Sequence, residues 1–115
     1  KLKLFHLESV RPKLLVKADH IHQALDHYAI PAANAWMIGD SVSDIDAARH
    51  GGVNSVAVSW GWQSRSLLSS HSPDLLFDTP QEMHTFFKPI ESALVHRLIM
   101  NTLAHLYLSG DDPDL

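Results

Sequence analysis

Two carboxylates and one ammonium are the groups in this sequence whose types and spacing could do chemistry together. Asp40 and Asp44 stand at i and i+4 in Met37-Ile38-Gly39-Asp40-Ser41-Val42-Ser43-Asp44. The run Ala35 to Ile38 is short and continuously apolar, as in a strand buried on both faces of a parallel sheet. Gly39 lets the chain turn at the strand's end, where Asp40 follows, and Asp44 falls in the first turn of the next helix, whose dipole favours an ionised carboxylate. Two carboxylates on one such loop suit a hard cation such as Mg²⁺, held directly and through water. Upstream, the flexible ammonium of Lys17 can pair with a phosphate as a point charge. Together the three make a candidate site for a phosphate and its Mg²⁺. Singly, each has a plainer reading: two helix-capping aspartates and a surface lysine.

The elements that must position these groups alternate along the chain. Leu2 and Leu4 alternate with Lys3 and Phe5 in a weak strand pattern, Pro12 interrupts, and Leu14-Leu15-Val16 is a short apolar run. Ile21, Ala24, Leu25 and Tyr28 share one helical face, which predicts a helix over 19–28 stopped by Pro31, with Lys17 just before it. After the strand at Ala35–Ile38, Ser43 is the expected cap of a helix that closes at Gly51-Gly52. Val53 to Val58 is a β-branched strand, Trp60-Gly61-Trp62 a loop, and Ser64 or Ser66 the start of a helical turn. Leu75-Leu76-Phe77 is a further apolar run, and Thr79-Pro80 opens a helix with Pro at its first position. Pro89 is expected to separate that helix from a longer one over 90–108, followed by a frayed acidic tail. Strands and helices in strict alternation predict an α/β fold with a parallel sheet. Ligands of such sheets bind beyond the carboxyl ends of the strands, where Asp40 lies.

The stretch Lys17-Ala18-Asp19-His20-Ile21-His22-Gln23-Ala24-Leu25, with Ala35 through Gly52 after it, resembles the later part of haloacid dehalogenase (HAD) superfamily phosphatases, in the phosphoglycolate-phosphatase-like branch. Trp60-Gly61 after the second strand, then Pro73-Asp74-Leu75-Leu76-Phe77-Asp78 before Gln81-Glu82-Met83, extend the likeness over 17–87. The resemblance implies a Rossmann-like three-layer parallel sheet, a partial HAD core over 1–88, with an added C-terminal helix and tail over 89–115. It implies that Lys17 steadies the transferring phosphoryl group, that Asp40 binds Mg²⁺ and that Asp44 supports the metal. Ser41, between the two aspartates, is a further candidate for substrate contact. The chemistry so implied is phosphoryl transfer to an aspartate, then hydrolysis of the aspartyl-phosphate by water. The expected ligand is a small phosphorylated metabolite such as phosphoglycolate.

The resemblance also defines what is missing. The superfamily's nucleophile lies in an Asp-x-Asp sequence after a strand upstream of everything quoted above. Asp44-Ile45-Asp46 already belongs to the metal motif, and Asp112-Pro113-Asp114 lacks the strand-turn setting. Ser9 is the nearest counterpart of the phosphate-binding Ser/Thr, but it stands too close to Lys17. The substrate-selecting cap would also lie upstream. In the superfamily the nucleophile strand sits beside the strand here read at Ala35–Ile38, so that strand is expected to present an open, aggregation-prone edge. The 115 residues alone are expected to be inactive, completed by a longer chain or a partner, unless the fold is rebuilt. The alternative is a truncated, non-catalytic module that binds phosphate or a partner protein.

Composition narrows the classes. With 45% apolar and 19% charged residues the chain is an ordinary globule, and its net charge of −4 argues against nucleic acid and anionic membranes. There is no cysteine, which excludes disulfides and thiolate metal sites, and no segment reads as a leader or membrane span, so a cytoplasmic setting is expected. The nine histidines are unusual, but His20 and His22, or His96 and His105, are not at helical ligand spacing, so solvated surface roles are expected. Trp60 and Trp62 either border the cleft or pack under their loop. The final helix is expected to pack on the domain or to serve a dimer contact.

Overall fold

The computed structural model describes residues 2–6, 14–91 and 97–101. In chain order these form β1 (Leu2–His6), α1 (Leu14–Tyr28), a short 3-10 turn (Ala32–Asn34), β2 (Ala35–Gly39), α2 (Val42–Gly51), β3 (Asn54–Val58), α3 (Arg65–Ser70), β4 (Leu75–Phe77), α4 (Pro80–Glu91) and β5 (Arg97–Asn101). The strands make one five-stranded sheet in the order β1-β5-β2-β3-β4, every pairing parallel. The expected α/β architecture is therefore present.

Side-chain alternation along the strands divides the core between the two faces of the sheet. Met37, Leu98 and Met100 pack with Ile21 and Ala24 of α1 and Ala47 and Ala48 of α2. Ile38, Val56, Val58 and Ile99 point the other way, onto Met83 and Phe87 of α4, where Trp36 meets Phe87 edge-on at 5.6 Å. These two clusters make three layers, helices over both faces of the sheet. A smaller cluster of Ile45, Ala57 and Leu68 seats α3 beside α2.

Three local expectations change. α1 begins at Leu14, so Leu14-Leu15-Val16 is its first turn and Lys17 lies inside the helix. The N-cap of α2 is Ser41, not Ser43, because the chain is still extended at Ser41 (φ −136°, ψ 155°) and turns helical at Val42. α4 is the helix that follows β4, and it continues through Pro89 to Glu91.

The largest correction concerns the end of the chain. Residues 97–101, expected within a helix over 90–108, are the strand β5. It lies between β1 and β2, pairing Leu98 with Ala35 and Asn101 with Ile38. The expected open edge of β2 is thus covered. Leu94 and Leu98 stand at the i, i+4 spacing of a helix, but Leu98, Ile99 and Met100 are all buried, on both faces of the sheet. Three successive buried side chains suit a central strand better than one helical face. Ser9, Asp112, Asp114 and residues 92–96 and 102–108 of the expected helix lie outside the described residues.

Candidate active site

The carboxyl ends of β2 and β3 converge on Asp40, α2 and the loop before α3, and the candidate residues meet there in two groups. The first is buried. From α1, the ammonium of Lys17 donates to Asp44 Oδ1 at 2.9 Å and to Ser43 Oγ at 2.8 Å. The other oxygen of Asp44 accepts from the Ser41 backbone N–H at 3.2 Å and from Ser41 Oγ at 2.8 Å. Ser41 and Ser43 also share a hydroxyl–hydroxyl contact at 2.9 Å. Lys17, Ser41 and Asp44 are all buried polar groups. Burial without partners would be costly for the charges, and the network supplies the partners.

Local sequence explains why Asp44 can sit there. A carboxylate at the third helical position reaches back to the N-cap N–H, which otherwise lacks a helical partner. In doing so it lies over the Cα of Gly39. A Cβ added at Gly39 would fall 2.1 Å from Asp44 Oδ2, so only glycine fits at the end of β2.

The second group is half open to solvent. Asp40 turns towards the loop after β3, where its Oδ2 accepts from the Trp62 backbone N–H at 3.1 Å. The loop answers with Gln63, whose N–H donates to the Asp40 carbonyl at 3.2 Å. The Gln63 side-chain carbonyl in turn accepts from Val42 N–H at 2.7 Å, satisfying one of the free donors of α2. Here too a glycine makes room: a Cβ on Gly61 would fall 2.3 Å from Asp40 Oδ2. Among the described residues no partner is found for Asp40 Oδ1.

The far end of the same loop is fastened to β4 and the turn after it. Ser59 N–H donates to the Phe77 carbonyl at 3.0 Å. Ser59 Oγ donates to Asp78 Oδ1 at 2.7 Å, and Arg65 Nη1 reaches both Asp78 oxygens at 2.7 Å. The Ser59 hydroxyl, then the Arg65 guanidinium, hold the Asp78 carboxyl below its ordinary range.

The three residues singled out from the sequence thus reach one end of the sheet, with Lys17 and Asp44 in direct contact and Asp40 facing the loop. Ser43, Gly61, Gln63 and the Ser59–Arg65–Asp78 group were not foreseen as parts of this assembly. Gly61 between two tryptophans offered a signal; Gln63 offered none, since its contact with Val42 spans two elements. Among the described residues no group of three or more His, Asp or Glu could hold a metal, and His71 and His50 instead bond Asp46 on the outer face of α2.

For Mg²⁺ the donor chemistry fits in a limited way. Asp44 has both oxygens committed, whereas Asp40 offers a carboxylate oxygen at the site's surface. One carboxylate together with phosphate oxygens and waters is a usual Mg²⁺ environment.

The family described as HAD-hydrolase-like matches residues 17–83, and the chain belongs to it. It is 31% identical over 80 residues to the phosphoglycolate phosphatase of Synechococcus elongatus, covering 70% of this chain and 38% of that protein. A candidate pyrophosphatase, PpaX, from Caldanaerobacter subterraneus is 35% identical over 86 residues, 67% of this chain and 39% of that one. Among solved structures, a haloacid dehalogenase-like hydrolase from Streptococcus pneumoniae superposes with a TM-score of 0.58 at 34% identity, covering 61% of this chain and 33% of the other. The likeness to the phosphoglycolate-phosphatase-like branch is modest in identity and covers part of the chain. The chain spans less than two-fifths of the length of these curated relatives.

Proposed function

We propose that this chain carries the phosphate- and Mg²⁺-binding half of a phosphomonoester phosphatase acting on a small phosphorylated metabolite. The observation that carries the reading is the buried Lys17–Asp44 pair standing beside the half-open Asp40 at the carboxyl edge of the sheet. Lys17 supplies positive charge to a phosphoryl group, with Asp44 and Ser43 fixing the direction of its ammonium. Asp40 would hold Mg²⁺, while the loop N–H of Trp62 orients its carboxylate. Asp44 supports the metal indirectly, as the counter-charge that keeps Lys17 in place, and Ser41 acts through Asp44. Bound Mg²⁺ would offset phosphate charge that otherwise repels an attacking carboxylate. That nucleophile is expected upstream of these residues, and phosphoglycolate is the first substrate to assay because curated relatives bear its name.

A second reading is favoured by one observation. The flank of β2, where the family resemblance would set the nucleophile strand, holds β5, which ends in Asn101. An amide is not a phosphoryl acceptor, so in this reading the module binds phosphate with Mg²⁺ without turning it over, or binds a partner protein. Both readings are tested by calorimetric titration of inorganic phosphate with and without Mg²⁺, together with hydrolysis of 4-nitrophenyl phosphate. Mg²⁺-dependent hydrolysis lost in Asp40→Ala supports the phosphatase. Mg²⁺-dependent binding without hydrolysis supports the second reading. Absence of phosphate binding overturns the shared site.

A further inference from the structure

The loop that orients Asp40 also carries the most exposed indole among the described residues. Trp62 is 77% exposed and Trp60 37% exposed, on either side of the glycine packed against the Asp40 carboxylate. Loose backbone does not account for this exposure. The loop is held at Ser59 by the Phe77 carbonyl and Asp78, and at Trp62 and Gln63 by Asp40 and Val42. Arg65 and Asp78 close the far side. Trp62 stands on an anchored loop and its own backbone N–H touches the site carboxylate, so its exposed indole is an apolar surface on a pre-organised backbone next to a polar site. Binding to it forfeits little loop entropy.

Resting on the phosphate site proposed above, we infer that the Trp62 indole is the contact surface for the non-phosphate part of the ligand. That part is flat and apolar or aromatic. Lys17, and Asp40 by way of Mg²⁺, would take the charged end, and the indole stacks on the rest, adding offset-stacked or edge-to-face contact to simple burial. Such a ligand goes beyond phosphoglycolate, whose short carboxylate gives an indole nothing to cover.

The test uses phenylphosphonate and methylphosphonate, which share the charged head and resist hydrolysis, titrated calorimetrically into the full chain with Mg²⁺. Phenylphosphonate is expected to bind about 5- to 10-fold more tightly than methylphosphonate. In Trp62→Ala the ratio of the two affinities falls to about one, and in Trp62→Phe most of it is kept. Taking the ratio within each protein cancels any change at the charged end. A wild-type ratio of one, or a ratio unchanged in Trp62→Ala, overturns the inference and leaves the phosphate site standing; the indole then faces protein, from this chain or another. If neither phosphonate binds, the phosphate site and the inference fall together.

Discussion

The two aspartates of this site each rest on a glycine, yet they are built for different work. Asp44, over Gly39, is buried and spends both oxygens on Lys17 and Ser41. Asp40, beside Gly61, is half exposed and is held through one oxygen by a single backbone N–H. The difference separates a structural charge from a working one. A buried carboxylate with both oxygens hydrogen-bonded stabilises α2 and aims Lys17, whereas a partly exposed one can exchange water for a metal at small cost. Spacing alone made the two residues look equivalent.

That contrast breaks most sharply at Asp44. Asp44→Ala leaves Lys17 buried without its counter-charge and removes the carboxylate that reaches back to the α2 N-cap, so urea denaturation should show a loss of about 3–5 kcal/mol. Asp40→Ala should change stability by less than about 1 kcal/mol while abolishing the Mg²⁺ dependence of phosphate binding. Equal losses of stability in the two variants would erase the distinction. Next in size is Gly39→Ala, whose methyl must displace the buried Asp44 carboxylate at a cost of about 1–3 kcal/mol in the same assay. Gly61→Ala meets Asp40 at a similarly short distance, but the exposed loop can shift. Its stability should fall by less than about 1 kcal/mol, with the loss appearing instead in Mg²⁺-supported phosphate affinity measured by calorimetry.

The smallest expected effect lies at the loop's other anchor. Asp78 has its carboxyl held low by Ser59 and Arg65, so its folded pKa lies below its unfolded one. Its contribution is therefore fully present above about pH 4, the unfolded range, and disappears as pH falls through the depressed folded value. Between neutrality and about pH 5 this anchor should be insensitive to pH. Ser59→Ala should raise the Asp78 carboxyl midpoint in an NMR titration; an unmoved midpoint would show that Arg65 alone sets it.

Much of the fold was legible because its strands are short, continuously apolar and punctuated. Ala35–Ile38 and Val53–Val58 could be placed from pattern alone, and both are strands of the parallel sheet. β5 carries the same signature in Leu98-Ile99-Met100, inside a longer stretch whose spacing also fits a helix. The period of a short apolar run is ambiguous, and only the neighbours that bury it on two faces resolve the choice. The start of α1 is ambiguous in the sequence for a related reason: Leu14-Leu15-Val16 has no period of its own.

By itself, then, the sequence determined the alternation of strands and helices, and the residue types that could bind phosphate and a hard cation: Lys17, Asp40 and Asp44. These follow from local rules, namely burial pattern, turn residues and the charge each side chain carries. Tertiary structure alone decided that β5 lies between β1 and β2, that Lys17 is spent on Asp44, and that the loop of Trp62 and Gln63 holds Asp40. Each of these depends on contacts between residues far apart in the chain. Distances of this kind are fixed by how helices and loops pack on the sheet, and no spacing in the sequence encodes them.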